Sequence, residues 1–191
     1  MLDTAYLERI RAHKSATSVG RREIIKYSGD ALSASKRAIF ALHRGDAAQA
    51  DALLAEADAL FAQARERIAV NPSLDGVGAY RAGLEEFVEA TLYRQFVKDG
   101  SVGVVSYKDV DDDIYLSGLC DLVGELQRRQ VKVATDGDTA AVAHIKDVME
   151  SIIAALLEMD LEGYLRNKFD QAKNALRRAE DVLYDVKLRR P

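Results

Sequence analysis

The sequence predicts an all-α protein, a single-domain bundle of about six to seven helices over residues 1–191. Only 2 of the 191 residues are proline, and no long stretch alternates apolar and polar residues as a half-exposed strand would. Apolar residues recur instead every three or four positions, the spacing that places them on one face of a helix. With 48% hydrophobic and 30% charged residues, the chain has the composition of a globular protein with a substantial core.

The first predicted helix extends from about Asp3 to Arg44, and its second half has a clear apolar face. Gly20 and Gly29 weaken this helix and are the expected positions of a bend or break. A basic cluster ends it, and two interpretations remain open. The cations either lie near the negative end of the helix dipole or contact the phosphates of a nucleic acid, and spacing alone favours the first. The cluster consists of Lys36, Arg37, His43 and Arg44.

Gly45 and Asp46 separate this helix from a second one, which we predict over residues 47–70 with a single apolar face. The sequence Asn71-Pro72-Ser73 then predicts a turn, because proline disfavours a helical conformation in the residue before it.

The third predicted helix, from about Leu74 to Lys98, is apolar on nearly all sides, so we expect it to be buried on both faces. Glu86 and Glu89 are three residues apart and are therefore neighbours on one face of this helix. Like charges at this spacing repel each other, and buried carboxylates need partners. The pair is a candidate site for a hard divalent cation. The alternative is that each glutamate is bridged to an arginine or a lysine.

A second pair of acids, Asp121 and Glu125, lies four residues apart on the fourth predicted helix, over residues 113–133. If the third and fourth helices pack face to face, the two pairs form a site of four carboxylates suited to a hard divalent cation. The alternative for Glu125 is an ion pair with Arg128 or Arg129 at ordinary helix spacing.

Two glycines, Gly118 and Gly124, accompany this second pair of acids in the helix interior. Each destabilises a helix by roughly 1 kcal/mol relative to alanine. They indicate close approach by another group: a neighbouring helix, an RNA backbone or a metal-bound water.

The rest of the chain also reads as helical. We predict a connector or short helix over residues 102–108, a turn at residues 135–138, and a helix from Thr139 to Met159. The last helix follows Gly163 and carries an apolar seam that resembles a coiled coil, which could pack on its own bundle or on another subunit.

Composition and motifs exclude several classes of protein. We expect no secretory signal, because the N-terminal residues lack a basic region followed by an apolar run. We expect no membrane helix, because no apolar run reaches about 18 residues. Cys120 is the single cysteine, so no internal disulfide forms and a cytoplasmic location is expected. A net charge of −4 argues against a strongly basic protein that recognises duplex DNA. No glycine-rich phosphate loop, Cys/His cluster or Ser/His/Asp set is present, and we expect no organic cofactor.

Several segments, taken together in order, resemble the translin family, and its Trax (translin-associated factor X) branch more than translin itself. Residues 35–44, SKRAIFALHR, are similar to the first-helix signature of Trax. Residues 83–90, GLEEFVEA, resemble its segment GLQEYVEA, and residues 113–126, DIYLSGLCDLVGEL, resemble the pattern DYLxGxxDLxGEL. Residues 165–170, LRNKFD, and 182–189, VLYDVKLR, are similar to the ending of the family, here more like translin.

This resemblance implies a translin-like helical bundle that assembles into a closed, hollow homo-oligomer, commonly of eight subunits. It implies binding of single-stranded RNA, and also of single-stranded DNA, and Mg²⁺-dependent endoribonuclease activity, with Mn²⁺ as a substitute. It further implies a single-chain, prokaryotic-type homologue that needs no second kind of subunit. The alternative is a non-catalytic oligomer that binds single-stranded nucleic acid.

Carried over position by position, the resemblance assigns the metal and catalytic functions to Glu86, Glu89, Asp121 and Glu125. The sequence leaves open whether Glu125 is a ligand or the general base. Glu85 departs from the glutamine of Trax, and an extra carboxylate there is either harmless or a perturbation of metal binding. The candidates for phosphate contacts are Arg37, His43, Arg44, Arg128 and Arg129.

Overall fold

A computed structural model describes residues 3–188, and all regular structure within this range is helical. The helices are α1 (Thr4–His43), α2 (Ala47–Val70), α3 (Gly78–Asp99), α4 (Asp112–Thr135), α5 (Thr139–Leu157) and α6 (Gly163–Leu188), with a short 3-10 turn at Pro72–Leu74. The prediction of an all-α bundle is confirmed. Arg189, the last residue of the family-like ending, lies outside the described residues.

Four of these helices begin at an aspartate whose side chain accepts a hydrogen bond from a backbone N–H group in the first turn. Such caps satisfy donors that the helix itself leaves unpaired, and they fix where each helix starts. The capping residues are Asp3, Asp46, Asp111 and Asp138. Gly100 ends α3 with a φ of 69°, a left-handed conformation that favours glycine.

Helix α3 is the central element of the bundle. It contacts α1 and α2 as well as α4, and α4 in turn packs on α5 and α6. Leu84, Val88 and Tyr93 of α3 are almost completely buried, which agrees with the expectation that both faces of this helix are covered. The functional consequence is that acidic residues on α3 are held in the interior and not in bulk water.

One helix boundary and one predicted bend differ from expectation. Helix α1 is continuous through both glycines, and a Cβ atom at Gly20 would lie 2.8 Å from Leu74 Cδ1, so this glycine makes room for a neighbour. Helix α3 begins at Gly78 and not at Leu74, because the side chain of Asn71 accepts hydrogen bonds from the backbone N–H and the hydroxyl of Ser73 and holds a separate turn. Residues 102–108 form a connector without helix.

The two glycines of α4 have different surroundings. A Cβ atom at Gly118 would lie 2.7 Å from Val88 Cγ1 and 3.0 Å from the carbonyl oxygen of Glu85, so the close neighbour at this position is helix α3. A Cβ atom at Gly124 would have no described heavy atom within 4 Å. Gly118 therefore sets the close approach of the two acid-bearing helices, and Gly124 leaves open space.

The apolar seam of α6 packs on its own bundle, against α4 and α5, and buries Phe169 together with three alanines. By contrast, the N-terminal part of α1 is exposed and carries large apolar side chains, among them Tyr6, Leu7 and Ile10. Within the part of the chain that the structure describes, no helix combines the length and the apolarity needed to span a bilayer.

Candidate functional site

The packing of α3 on α4 brings the two predicted acid pairs into one region. The negative charges of Asp121 and Glu125 on α4 act on both Glu86 and Glu89 of α3 and raise the pKa of each, in addition to the larger effect of burial. Three of the four acids, Glu86, Glu89 and Glu125, line one cleft of about 340 Å³. Asp121 is not among the residues that line it.

Glu89 is the most unusual of the four. Only 7% of its surface is exposed, and within residues 3–188 its carboxylate has neither a hydrogen bond nor an ion pair. Burial, followed by the charges of Glu86 and Asp121, raises its pKa to about 9. A buried carboxyl group among other carboxylates takes up a proton or a cation, because an isolated buried charge is strongly unfavourable.

Glu86 is partly compensated by a lysine from α1. Burial raises its pKa, and the ammonium group of Lys36, which lies 3.8 Å from Glu86 Oε2, opposes that rise. The alternative interpretation, a glutamate bridged to a basic side chain, therefore describes Glu86 in part and does not describe Glu89.

Asp121 and Glu85 share a cation from α6. The Lys168 ammonium donates a hydrogen bond to Asp121 Oδ2 and lies 3.4 Å from Glu85 Oε2. Glu85 also accepts hydrogen bonds from the hydroxyls of Ser117, at 2.7 Å, and Tyr164, at 2.9 Å. Burial raises the pKa of Asp121, and the bond from Lys168 opposes that rise. Glu85, whose effect the sequence left open, thus joins α3 to α4 and α6.

Glu125 is held by His43, which the sequence analysis gave as a candidate for a phosphate contact. Nε2 of His43 donates to Glu125 Oε2, and Nδ1 of His43 accepts from the Tyr93 hydroxyl at 3.0 Å. Arg128 Nη1 also lies 3.7 Å from Glu125 Oε2, as the alternative of an ion pair within the helix predicts. His43 is buried, with both ring nitrogens occupied, so it differs from the expected surface contact with phosphate and instead orients Glu125.

The predicted phosphate-binding arginines are dispersed over this surface. Arg37 is exposed and paired with Glu56 at 3.0 Å. Arg129 is only partly exposed and lies beside Tyr93, whose pKa burial raises to about 12 while Arg129 opposes the rise. Arg44 and Arg128 are exposed and both lie beside the ring of Phe40, with Cζ atoms 5.2 and 5.5 Å from its centroid.

The cleft lined by Glu86, Glu89 and Glu125, here called the acid cleft, has basic and aromatic side chains at its rim. Lys36, Phe40 and Arg128 line it together with the three glutamates. A neighbouring groove of about 390 Å³ shares Lys36 and Phe40 with it and continues along Arg37 and Arg44. Sequence reasoning missed Phe40 as a functional residue, although its position within the basic cluster of SKRAIFALHR was an available signal.

A larger cavity of about 500 Å³ lies at the start of α3, away from these acids. Its charged side chains are paired with one another, for example Arg65 with Asp109 at 3.1 Å and Arg81 with Asp111 at 2.8 Å. We regard the acid cleft as the better candidate, because it contains a buried carboxyl group without a partner.

The chemistry of the four acids fits a hard divalent cation, for which carboxylate oxygens are preferred ligands. Within residues 3–188, however, no three His, Cys, Asp or Glu side chains stand in an arrangement ready to hold a metal ion. The reason lies in the contacts above: Asp121 is turned to Lys168 and Glu125 to His43. Convergence on a cation requires these two side chains to leave their protein partners.

Comparison with known proteins identifies the family. Residues 20–190 match the sequence profile of the Translin family. The chain belongs to the translin family. Translin of Homo sapiens is 33% identical over 82 residues, which are 42% of this chain and 35% of translin. Translin-associated protein X of Mus musculus is 23% identical over 210 residues, which cover 87% of this chain and 72% of that protein. The chain thus spans about a third of the length of the translins that it matches.

Solved structures support the translin-like fold. The crystal structure of apo-NeC3PO has a TM-score of 0.86 with 24% identity, and the AfC3PO–duplex RNA complex has a TM-score of 0.85 with 23% identity. Each alignment covers 97% of this chain and 98% of the other. At this level of identity the likeness establishes the fold.

We predict that Lys168 stabilises this translin-family bundle through the acids that it joins. Lys168→Met should lower the free energy of unfolding by about 3 kcal/mol at neutral pH, because the half-buried Asp121 would lose its cation and the buried Glu85 would keep only the more distant Arg81, at 3.9 Å. The measurement is urea unfolding followed by circular dichroism. Lys173→Met is the matched control, since Lys173 pairs with the more exposed Asp170 and should contribute under about 1 kcal/mol. Equal effects of the two changes would contradict the prediction.

Proposed function

We propose that this protein is a Mg²⁺-dependent endoribonuclease that cleaves single-stranded RNA as a homo-oligomer. The observation that carries the proposal is Glu89, a buried carboxyl group without a protein partner among three further carboxylates. A structural ion-pair network would place a basic side chain beside each acid, as it does for Glu85. A site that accepts an external cation leaves such a charge uncompensated.

In this proposal Glu86, Glu89, Asp121 and Glu125 hold Mg²⁺, and Mn²⁺ can substitute for it. When bound, the metal activates a water molecule and stabilises negative charge on the scissile phosphate. The protein's own groups bind and orient the substrate and the ligands. Lys36 and Arg128, on the rim of the cleft, attract the phosphate backbone. His43 orients the Glu125 carboxylate, which serves either as a ligand or as the general base.

Assembly into an oligomer is also part of the proposal. The apolar side chains exposed on α1, Tyr6, Leu7 and Ile10, are a surface that a second subunit can cover. We propose a homo-oligomer of eight subunits, as the family resemblance implies. We further propose a cytoplasmic location, because the single cysteine, Cys120, is a buried thiol.

A second candidate is a non-catalytic oligomer that binds single-stranded RNA or DNA. It is favoured by the contacts of Asp121 and Glu125 with Lys168 and His43, which keep these two acids from converging. In that case the basic rim would bind nucleic acid and the acids would only shape the cleft.

Incubation of 5′-labelled single-stranded RNA with the protein in Mg²⁺ tests the proposal. We expect cleavage within the strand that stops on addition of EDTA and resumes with excess Mg²⁺ or Mn²⁺. Cleavage that persists in EDTA would contradict the proposal. Tight, salt-sensitive binding without cleavage in either metal would support the second candidate instead.

A further inference from the structure

We propose that Phe40 forms a stacking site for an unpaired nucleobase at the edge of the acid cleft. This inference rests on the proposed function for the class of ligand, a single-stranded nucleic acid, and not on catalysis. It adds a group that recognises the base to a site otherwise built to hold a phosphate and a metal ion.

The first argument is the exposure of Phe40. Half of its surface is accessible, 50%, whereas its neighbours Ile39 and Ala41 are almost completely buried. A large aromatic side chain on the open side of a helix contributes little to the core, and its exposure to water is unfavourable. A ring with an accessible surface is what stacking on a base requires.

The second argument is the arrangement of charges around the ring. Arg44, the residue that follows α1, and Arg128 of α4 both approach it, with Cζ atoms 5.2 and 5.5 Å from its centroid. These cation–π contacts restrain the ring and place positive charge beside any base that stacks on it. The phosphates on either side of that base would lie within reach of the two guanidinium groups.

The third argument is the position of Phe40 between two grooves. It lines both the acid cleft and the neighbouring groove that contains Arg37 and Arg44. A strand that follows the basic groove therefore passes Phe40 before it reaches Glu86 and Glu89. A base stacked there would fix which phosphate enters the acid cleft.

The charge of the surface also indicates the kind of partner. Phe40 is surrounded by Lys36, Arg37, Arg44 and Arg128. Lys36, Arg37 and Arg128 are each paired with a carboxylate, that of Glu86, Glu56 and Glu125 respectively. Among the described residues Arg44 bonds instead to the neutral amide of Gln49, so its guanidinium group keeps a positive charge that can attract the anionic backbone of a nucleic acid. A base within a duplex is stacked and paired, so the site selects unpaired bases.

Binding in EDTA tests the stacking site independently of cleavage. The probes are an oligouridine of about 12 nucleotides, an abasic strand with the same number of phosphates, and a blunt RNA duplex of the same length. We expect Phe40→Ala to weaken binding of oligouridine about tenfold, because one stacked base is lost, and to change binding of the other two less than about twofold.

Fluorescence provides a second measurement, because the natural chain contains no tryptophan. In the variant Phe40→Trp, binding of oligouridine should be retained and the single tryptophan should be quenched by oligouridine but not by the abasic strand. Tyr184→Trp, an exposed position on α6 that lines neither groove, is the control and should not be quenched.

Several results would overturn the inference: equal weakening of all three probes by Phe40→Ala, an unquenched tryptophan at position 40, or no binding of oligouridine by the natural protein. If the expected binding pattern occurs but RNA is never cleaved in Mg²⁺, the stacking site is supported and the proposed endoribonuclease activity fails.

Discussion

Replacement of Glu89 by glutamine is expected to reduce Mg²⁺-dependent cleavage of single-stranded RNA by about 100-fold or more. The amide keeps the shape of the side chain but removes the negative charge that the proposed metal site needs. Loss of a few kcal/mol of stabilisation in the transition state is sufficient for an effect of this size. Initial rates at saturating RNA and Mg²⁺ are the measurement.

The same substitution should leave RNA binding in EDTA within about twofold of the natural protein, because Glu89, with a pKa of about 9, is already uncharged at neutral pH without a cation. Glu180→Gln, at an exposed position on α6, is the control and should retain full activity. Adding Asp121→Asn to Glu89→Gln should cause little further loss of cleavage activity, because the effects of substitutions at residues that act as one unit are not additive. Activity above half in Glu89→Gln would exclude Glu89 as a ligand.

The stability of the protein in EDTA is expected to fall as the pH rises from about 5 to 9. Burial and the neighbouring carboxylates raise the pKa of Glu89 to about 9 in the folded state, from 4.5 for a free glutamate. The folded state therefore binds more protons than the unfolded state in this interval. The stability that the protonated Glu89 carboxyl group contributes is fully present only below pH 4.5. The slope is at most about 1.4 kcal/mol per pH unit for one group, and Glu86, whose pKa burial also raises, acts in the same direction.

Urea unfolding at a series of pH values in EDTA measures this dependence. Glu89→Gln should flatten it and should be more stable than the natural protein at pH 8, with a higher midpoint concentration of urea. Saturating Mg²⁺ should stabilise the natural protein at pH 8 more than it stabilises this variant. Identical slopes for the two proteins would show that Glu89 is not the group that titrates.

Local rules predicted most of the fold. Periodic apolar residues gave the six helices, and aspartates such as Asp46 and Asp111 marked where two of them begin. The start of α3 was wrong by four residues, because the turn at Asn71 extends through Leu74 before the helix can form. That turn depends on a side-chain hydrogen bond that competes with helical structure, and periodicity does not detect it.

The parts of the site formed by residues close together in sequence were predictable. The contacts between residues far apart in sequence were not. Glu86 and Glu89, or Asp121 and Glu125, are close in sequence, so helix geometry alone relates the members of each pair. The side chains that hold the α4 acids are far away in sequence. Their identity depends on how the helices pack, which spacing along the chain does not encode. Lys168 lies 47 residues from Asp121, and His43 lies 82 residues from Glu125.

The contacts of the four acids have a consequence for the protein in a cell. Lys36 pairs with Glu86, Lys168 pairs with Asp121, His43 donates a hydrogen bond to Glu125, and Glu89 is neutralised by a proton. A chain that supplies its own counter-ions can fold as it leaves the ribosome without waiting for Mg²⁺. A shortage of the metal would then silence the protein without exposing it to unfolding and degradation, and activity would return as soon as the ion does, with no new synthesis.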